Sequence, residues 1–275
     1  MSEAESSASN AFAEELKAQR AQRGWTQVEL GEKIGFSGSF ISDVERGDRF
    51  ASLVFAQACD REMKLPGTFA RIHEIARRDA YPSWFSPAVD YERSAIRIQA
   101  WHLGAVPGLL QTEDYARALI SATKPQDTTD DIERLVMARL ERQDILTGDN
   151  PPRLWYVLDE SVARRVVGSA SDMAGQLERL ISVARESGIV IQILPFGAGD
   201  HAGTDGPVTV YDFADRSAVG YAEANGGGRI AEDAGDVAEM VTTLNALRAC
   251  ALSPRATLDM LTKIRSDFDE LAETD

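Results

Sequence analysis

The chain has 275 residues, 44% apolar and 27% charged, which is enough to bury the core of one large domain or two ordinary ones. No window approaches the ~18 consecutive apolar residues of a membrane-spanning helix. Cys59 and Cys250 are the only cysteines and lie far apart in segments of helical pattern, which excludes a disulfide framework and implies a reducing compartment.

A net charge of −15 argues at first against a nucleic-acid partner, because non-specific DNA affinity comes from Lys and Arg neutralising phosphates. The distribution of charge reverses that reading. Residues 11–80 carry 11 basic and 11 acidic side chains, whereas residues 81–275 carry 18 and 31. The acidity belongs to the second part of the chain. Residues 1–10 are small, polar and acidic, with neither a positively charged start nor an apolar run. They read as a disordered tail, not a signal or transit peptide, and the protein is expected to be soluble and cytoplasmic, with no membrane partner.

From residue 11 to 80 every segment has helical spacing, as in Phe69, Ile72, Ile75 and Ala76. Thr26-Gln-Val-Glu29 is a capping box, in which the Thr26 hydroxyl accepts from the Glu29 amide and the Glu29 carboxylate reaches back to the Thr26 amide. Leu30 and Ile34 give the helix that starts there a buried stripe, Gly31 between them leaves room for another helix to cross closely, and Gly35 ends it. Phe36 packs the turn, Ser37 is an N-cap for the next helix, and Ile41 and Val44 form that helix's buried face. Gly38, Ser39, Ser42 and Asp43 are left on its outer face.

A second helix presented by such a turn is the geometry that enters the major groove. The expected DNA-binding set is therefore Thr26, Gln27, Ser37, Gly38, Ser39, Ser42, Asp43, Arg46 and Arg49. Gln27 and the amides around it stand at a helix N-terminus, where a phosphate is favoured. Arg46 and Arg49 pair with phosphates just past the recognition helix.

Ala80-Tyr-Pro-Ser-Trp-Phe-Ser-Pro-Ala88 contains two prolines and two serines, which places a domain boundary near Tyr81. Beyond it Leu154–Leu158, Ile189–Leu194, Val208–Phe213 and Val219–Ala222 read as strands, being short, rich in β-branched and aromatic residues and bounded by Gly, Pro or Asp. Residues 173–186, 237–252 and 256–268 read as amphipathic helices, and Gly226-Gly-Gly228 as a turn. Trp84, Phe85, Trp101, Trp155, Tyr156, Tyr211 and Tyr221 all fall in this part. They either line an apolar pocket, form a protein interface or pack in the core.

Catalytic and metal chemistry is not evident. His73, His102 and His201 have no Cys, His or carboxylate at zinc spacing, and His102 beside Trp101 reads as a packed histidine. Gly197-Ala-Gly-Asp-His-Ala-Gly203 lacks the Lys-Ser/Thr ending of a phosphate loop and reads as a hairpin loop. Asp159-Glu160 and Glu232-Asp233 read as solvated carboxylates. The protein is expected not to be an enzyme and to hold no cofactor and no metal.

Residues 12–63 resemble the XRE-type helix-turn-helix of phage repressor-like proteins, on the string Gly24-Trp-Thr-Gln-Val-Glu-Leu-Gly-Glu-Lys-Ile-Gly-Phe-Ser-Gly-Ser-Phe-Ile-Ser-Asp-Val-Glu-Arg-Gly47. The resemblance implies that Gln27 contacts phosphate and supports the recognition helix, and that Gly38, Ser39, Ser42 and Asp43 face base edges. Gly38 and Asp43 depart from the common pattern, since the first offers no side chain and the second stands where many members have a basic or amide residue.

The remainder resembles the C-terminal region of the WhiJ-like regulators of actinobacteria. The matching residues are Val106-Pro-Gly-Leu-Leu-Gln-Thr-Glu-Asp-Tyr-Ala-Arg117, Arg142-Gln-Asp-Ile-Leu146, Leu158-Asp-Glu160, Gln176-Leu-Glu-Arg-Leu180 and Ile193-Leu-Pro-Phe-Gly197. That resemblance implies a transcriptional regulator, often encoded beside a small acidic partner protein in an arrangement compared to antitoxin–toxin pairs.

The expected fold is multidomain. An all-α, phage repressor-like helix-turn-helix bundle over residues 11–80 precedes an α+β domain over residues 81–275 with a small, mainly antiparallel sheet. The expected function is sequence-specific regulation from a double-stranded DNA operator by a homodimer whose C-terminal domain dimerises and binds a partner protein or ligand. The alternative is an antitoxin-like module that sequesters a small partner protein, with DNA binding secondary or lost. A third, an enzyme fused to a DNA-binding domain, requires a nucleophile and base that the sequence does not offer.

Overall fold

The computed structural model describes residues 5–47, 49, 51–79, 81, 84–186, 188–224 and 227–274. The chain divides into two compact units, one formed by residues 1–83 with 124–141, the other by residues 84–123 with 142–275.

The first unit is helical: α1 (Glu5–Gln22), α2 (Gln27–Ile34), α3 (Gly38–Arg46), α4 (Leu53–Met63), α5 (Thr68–Asp79) and α8 (Thr129–Glu141), the last reached after α6 (Ser86–Ser94) and α7 (Glu113–Thr123) of the other unit. Its core is Phe12, Leu16, Leu30, Ile41, Val44, Phe55, Met63 and Phe69. The Phe12 ring lies 5.1 Å from Phe69 and 6.2 Å from Phe55. That anchorage explains why α1 reaches back to Glu5, into the stretch expected to be a disordered tail. With Phe12 and Leu16 buried, each further residue adds a hydrogen bond to an existing helix without a new nucleation step. Residues 1–4 lie outside the described residues.

Buried polar groups hold the unit together away from the turn. Asp60 on α4 accepts from the Phe69 and Ala70 amides, both at 2.9 Å, and so caps the start of α5. Glu141 at the end of α8 takes the Leu53 amide at 3.2 Å and the buried His73 Nε2 at 2.9 Å, while the Tyr81 hydroxyl donates to the Ala138 carbonyl at 2.7 Å. The helical unit thus includes a helix that lies far beyond Tyr81 in the sequence. Residues 80, 82 and 83, around the expected boundary, lie outside the described residues.

The second unit opens with α6 (Ser86–Ser94) and is built on β1 (Arg97–His102), β2 (Arg153–Asp159), β3 (Ile189–Leu194), β4 (Val208–Asp212), β5 (Val219–Ala224) and β6 (Gly227–Ala231), in the order β3-β2-β1-β4-β5-β6. The expectation of a small, mainly antiparallel sheet is corrected: the sheet has six strands and is mixed. β1 pairs parallel with β2 and β2 with β3, whereas β1–β4, β4–β5 and β5–β6 are antiparallel. The physical reason lies in the connections. Parallel neighbours need a long crossover, and β1 is followed by α7 (Glu113–Thr123) and α8 before β2, and β2 by α9 (Glu160–Arg164) and α10 (Ala170–Val183) before β3. From β4 onward short links suffice.

The pleat sorts side chains to two faces. Ile98, Ala100, Leu154, Tyr156, Leu158, Ile191, Ile193, Tyr211, Val219 and Tyr221 form one core with α10 and α12 (Pro254–Ala272). Trp101, Val157, Leu194 and Val210 form the other with Val237, Leu244 and Leu247 of α11 (Ala234–Cys250). The outer edge of β3 is closed where α11 gives way to α12, as the Leu252 amide donates to the Ile193 carbonyl at 2.8 Å and the buried Thr257 hydroxyl accepts from the Ile193 amide at 3.0 Å. No helix among the described residues is long and apolar enough to cross a membrane.

Candidate nucleic-acid interface

The supporting helix α2 begins on both halves of the expected capping box. The Glu29 amide donates to the Thr26 hydroxyl at 3.1 Å, and the Thr26 amide to the Glu29 carboxylate at 2.7 Å. Hydrogen bonding from Thr26 to that carboxylate, first from its backbone amide and then from its side chain, holds the Glu29 carboxyl below its ordinary range. Gly35 closes the helix at φ +80°. A Cβ on Gly31 would overlap the Phe36 carbonyl and crowd the Gly38 nitrogen at the start of α3, so the glycine admits the backbone of the turn together with the first residue of the next helix.

The recognition helix α3 starts with the Ser37 hydroxyl accepting from the Phe40 amide at 3.1 Å, and the same hydroxyl lies 2.9 Å from that of Ser39. A Cβ on Gly38 would stand 2.9 Å from Val28 Cγ2 and 3.1 Å from Val28 Cα. Gly38 is therefore where α3 lies against the first turn of α2, and its small size serves that approach. Ile41 and Val44 are buried beneath. Ser39 and Arg46 are exposed, and Ser42 and Asp43 are half-exposed on the outer side. Arg46 folds back over them, 2.5 Å from the Asp43 carboxylate and hydrogen-bonded to the Ser42 hydroxyl. Exposed pairs of this kind contribute about 1 kcal/mol or less. The guanidinium of Arg49 stacks 4.5 Å from the Phe40 ring centroid.

Gln27 supports the recognition helix directly, its Nε2 donating to Glu45 on α3 at 2.8 Å. Glu45 also receives Nε and Nη2 of Arg20 on α1 at 2.5 and 2.9 Å, while Nη1 of Arg20 donates to the Trp25 carbonyl at 2.7 Å. One carboxylate, its side chain 4% exposed, thus ties α1, α2 and α3 together. Burial alone would raise the Glu45 carboxyl; the donations from Arg20 and Gln27 outweigh it and hold the group below its ordinary range, and the Arg20 guanidinium is raised in return. Sequence reasoning missed Arg20 and Glu45. The available signal was spacing: Arg20 stands four residues after buried Leu16, and Glu45 four after buried Ile41, which puts each charge beside a core stripe.

The aromatic residues of the second unit do not form one wall. Tyr156, Tyr211 and Tyr221 are buried in the core shared with α10 and α12, whereas Trp101 is buried on the opposite face with its Nε1 donating to the Gly203 carbonyl at 2.9 Å. Of the seven singled out, Trp84 and Trp155 are exposed, 37% and 36%, and Phe85 is half-buried. Phe85 bridges toward the core, 5.9 Å from both Trp84 and Tyr221.

Near the tyrosines lies a buried ion pair, Glu92 of α6 and Arg142, 2.8 Å apart, with the guanidinium 5.1 Å from the Phe85 ring. Burial lifts all three tyrosine hydroxyls above their ordinary range, with Glu92 adding to it at Tyr156 and Tyr211 and Glu223 at Tyr221. Desolvation, helped by the Arg142 charge, lowers the His102 imidazole to about 4. Among the described residues no group of three or more His, Cys, Asp or Glu is placed to hold a metal ion.

Two family models match the chain. One, described as a helix-turn-helix domain, covers residues 11–68, and the other, described as a domain of unknown function (DUF5753), covers residues 85–263. No curated protein and no solved structure matches significantly.

Proposed function

The chain belongs to the DUF5753 family and carries a helix-turn-helix domain ahead of that region, and from this premise we propose that it is a sequence-specific, cytoplasmic transcriptional regulator of XRE type. In this reading α3 enters the major groove with Ser39, Ser42 and Asp43 toward base edges. Arg46, Arg49 and the N-terminus of α2 meet phosphates. The second unit dimerises, bringing two copies of α3 onto half-sites about one helical turn apart, and receives a partner, in the manner of the WhiJ-like regulators.

The observation that carries the reading is the clamp on Glu45. A buried carboxylate held by three helices is a costly device for a plain bundle, and its effect is to fix the angle at which α3 is presented. Mapping genomic DNA bound by the full chain in cells tests the proposal. Discrete sites that share a two-fold sequence support it; diffuse occupancy overturns it.

A second reading has its own support. Arg46 is engaged by Asp43 and Ser42 on the very face that would meet DNA, and Gly38 offers no side chain. Both features favour an antitoxin-like module that mainly sequesters a small partner protein. Comparing partner capture with and without operator DNA separates the two.

A further inference from the structure

The α11 face of the sheet changes character at the end where β1 and β2 begin. Register and pleat put Arg97, Gln99 and Trp101 of β1 on the same face as Arg153, Trp155 and Val157 of β2 and Asp212 of β4. Trp101 and Val157 are covered by α11, but the helix ends at Cys250 and leaves the rest of this corner open. Its last turn contributes Arg248, whose guanidinium stacks 4.2 Å from the Trp155 ring and donates to Gln99 Oε1 at 2.7 Å. Arg97 Nε and Gln99 Nε2 both donate to Asp212, at 2.8 and 2.7 Å. The indole of Trp155 is fixed by its own Nε1, which donates to Gln192 Oε1 at 2.8 Å, and Gln192 in turn donates to the Leu252 carbonyl at 2.8 Å.

Three arginines, Arg97, Arg153 and Arg248, therefore share this corner with one carboxylate among the described residues, Asp212, which Arg97 engages, while Arg248 is bonded to the neutral Gln99 and Asn245. The corner lies in a part of the chain whose remaining charge is strongly negative, since residues 81–275 carry 18 basic and 31 acidic side chains. The positive charge is not balanced from within. Burial lowers the Arg248 guanidinium and the neighbouring Arg97 lowers it further, against the opposing pull of Asp212. Arg248 Nε is buried and takes no hydrogen bond among the described residues. Meanwhile Arg97 and Arg153 remain exposed and the immobilised Trp155 keeps about a third of its surface open. Arginine and tryptophan held rigid in advance are the residue types that dominate protein interfaces.

The geometry points to a docking site for a short acidic segment of a partner protein, with its carboxylates on Arg97, Arg153 and Arg248 and an apolar side chain on the open part of Trp155. The inference rests on the reading of the second unit as a partner-binding domain and names the surface and chemistry involved. An acidic peptide is favoured over a nucleic-acid strand because the patch is only two strands and one helix turn wide. A longer polyanion would run off it onto the acidic surround and be repelled there within a Debye length of about 8 Å, whereas a peptide can confine its charge to the patch.

The test is selection of a random peptide library, displayed on phage, against the full-length protein, followed by titration of the synthesised winners against Arg97→Glu/Arg153→Glu, Trp155→Ala and a single-stranded oligonucleotide. The inference expects winners with net negative charge and an apolar residue. These should bind the double variant at least about tenfold more weakly and should not be displaced by the oligonucleotide. Arg153→Glu alone serves as the control for folding, since that residue is exposed, and should give part of the same loss. Winners that lack acidic residues, bind both proteins equally or yield to the oligonucleotide would overturn the patch while leaving partner binding elsewhere intact. Failure to enrich any peptide would remove both.

Discussion

The two units manage buried charge in opposite ways. In the helical unit a single carboxylate, Glu45 of α3, is shared by a bidentate arginine of α1 and the side-chain amide of Gln27 on α2, and so ties the three helices together. In the sheet unit the Glu92–Arg142 pair is sunk among tyrosines, far from any groove-reading element in sequence, and the conspicuous surface charge is a basic corner on an acidic domain. The difference teaches where to look for function in each: orientation of a helix in the first, and an exposed complement of unusual sign in the second.

The largest effects are expected at the cores and buried pairs. Ile41→Ala should cost about 3 kcal/mol or more and unfold the helical unit. Removing one member of either buried pair should have effects of similar size, about 3 to 5 kcal/mol for Glu92→Ala and about 3 kcal/mol for Glu45→Ala, both read from denaturant midpoints. The consequences should differ in kind. Glu45→Ala should also reduce operator affinity under conditions where the protein remains folded, whereas Glu92→Leu/Arg142→Met, which replaces the whole pair by apolar groups, should restore stability and leave DNA binding unchanged. If both single variants affected DNA equally, the orienting role of Glu45 would be wrong.

On the reading face smaller effects are expected. Arg46→Ala should weaken binding to every sequence and reduce the salt slope by roughly one unit, while Ser39→Ala or Ser42→Ala should alter discrimination between operators by about 1 kcal/mol. Anisotropy titrations at two salt concentrations distinguish a phosphate contact from a base contact; identical operator profiles for the parent and both variants would refute the docking.

A pH titration sharpens the contrast from the sheet unit. The His102 imidazole is depressed from its ordinary 6.5 to about 4 by desolvation and by Arg142. As pH falls below about 6.5 the unfolded chain takes up this proton while the folded chain does not. The associated stability is therefore present above that pH and is lost on descent toward 4. A ring-proton NMR titration should place His102 well below the ordinary 6.5, and Arg142→Met should move it upward.

The mildest expectation concerns thiols. Cys250 is exposed and should react with a thiol reagent in the native protein. Cys59 is buried, with its thiol pushed up to about 12 by desolvation and then by Asp60, and should react only on unfolding.

Much of the first unit is legible in sequence because its signals are local. Thr26 with Glu29, Gly35, Ser37, and Ile41 with Val44 act within a few residues of each other, and the caps form as spacing dictates. What escapes is non-local: Glu45 meets Arg20 across 25 residues, and Glu141 meets His73 across 68. In the second unit β2 to β5 read as strands from their β-branched and aromatic content, but β1 did not, because Arg97 and Gln99 interrupt its apolar pattern. The same two side chains face the open corner of the sheet. Of Gly226-Gly-Gly228, read as a turn, Gly226 lies outside the described residues, and Gly227 and Gly228 begin β6. The partition of Trp101 from Tyr156 and Tyr211 to opposite faces follows from register, which the spacing of aromatics along the chain does not reveal.

The central claim is that the Glu45 clamp presents α3 for sequence-specific reading of DNA. The most direct measurement is selection from a random duplex library with the full-length protein, followed by affinity for the selected site against a scrambled one at physiological salt. The account predicts a preference of about a thousandfold or more, carried on a two-fold repeated sequence and reduced by Glu45→Ala in protein that remains folded. Equal affinity for selected and scrambled duplexes, or a preference that Glu45→Ala leaves untouched, would contradict it.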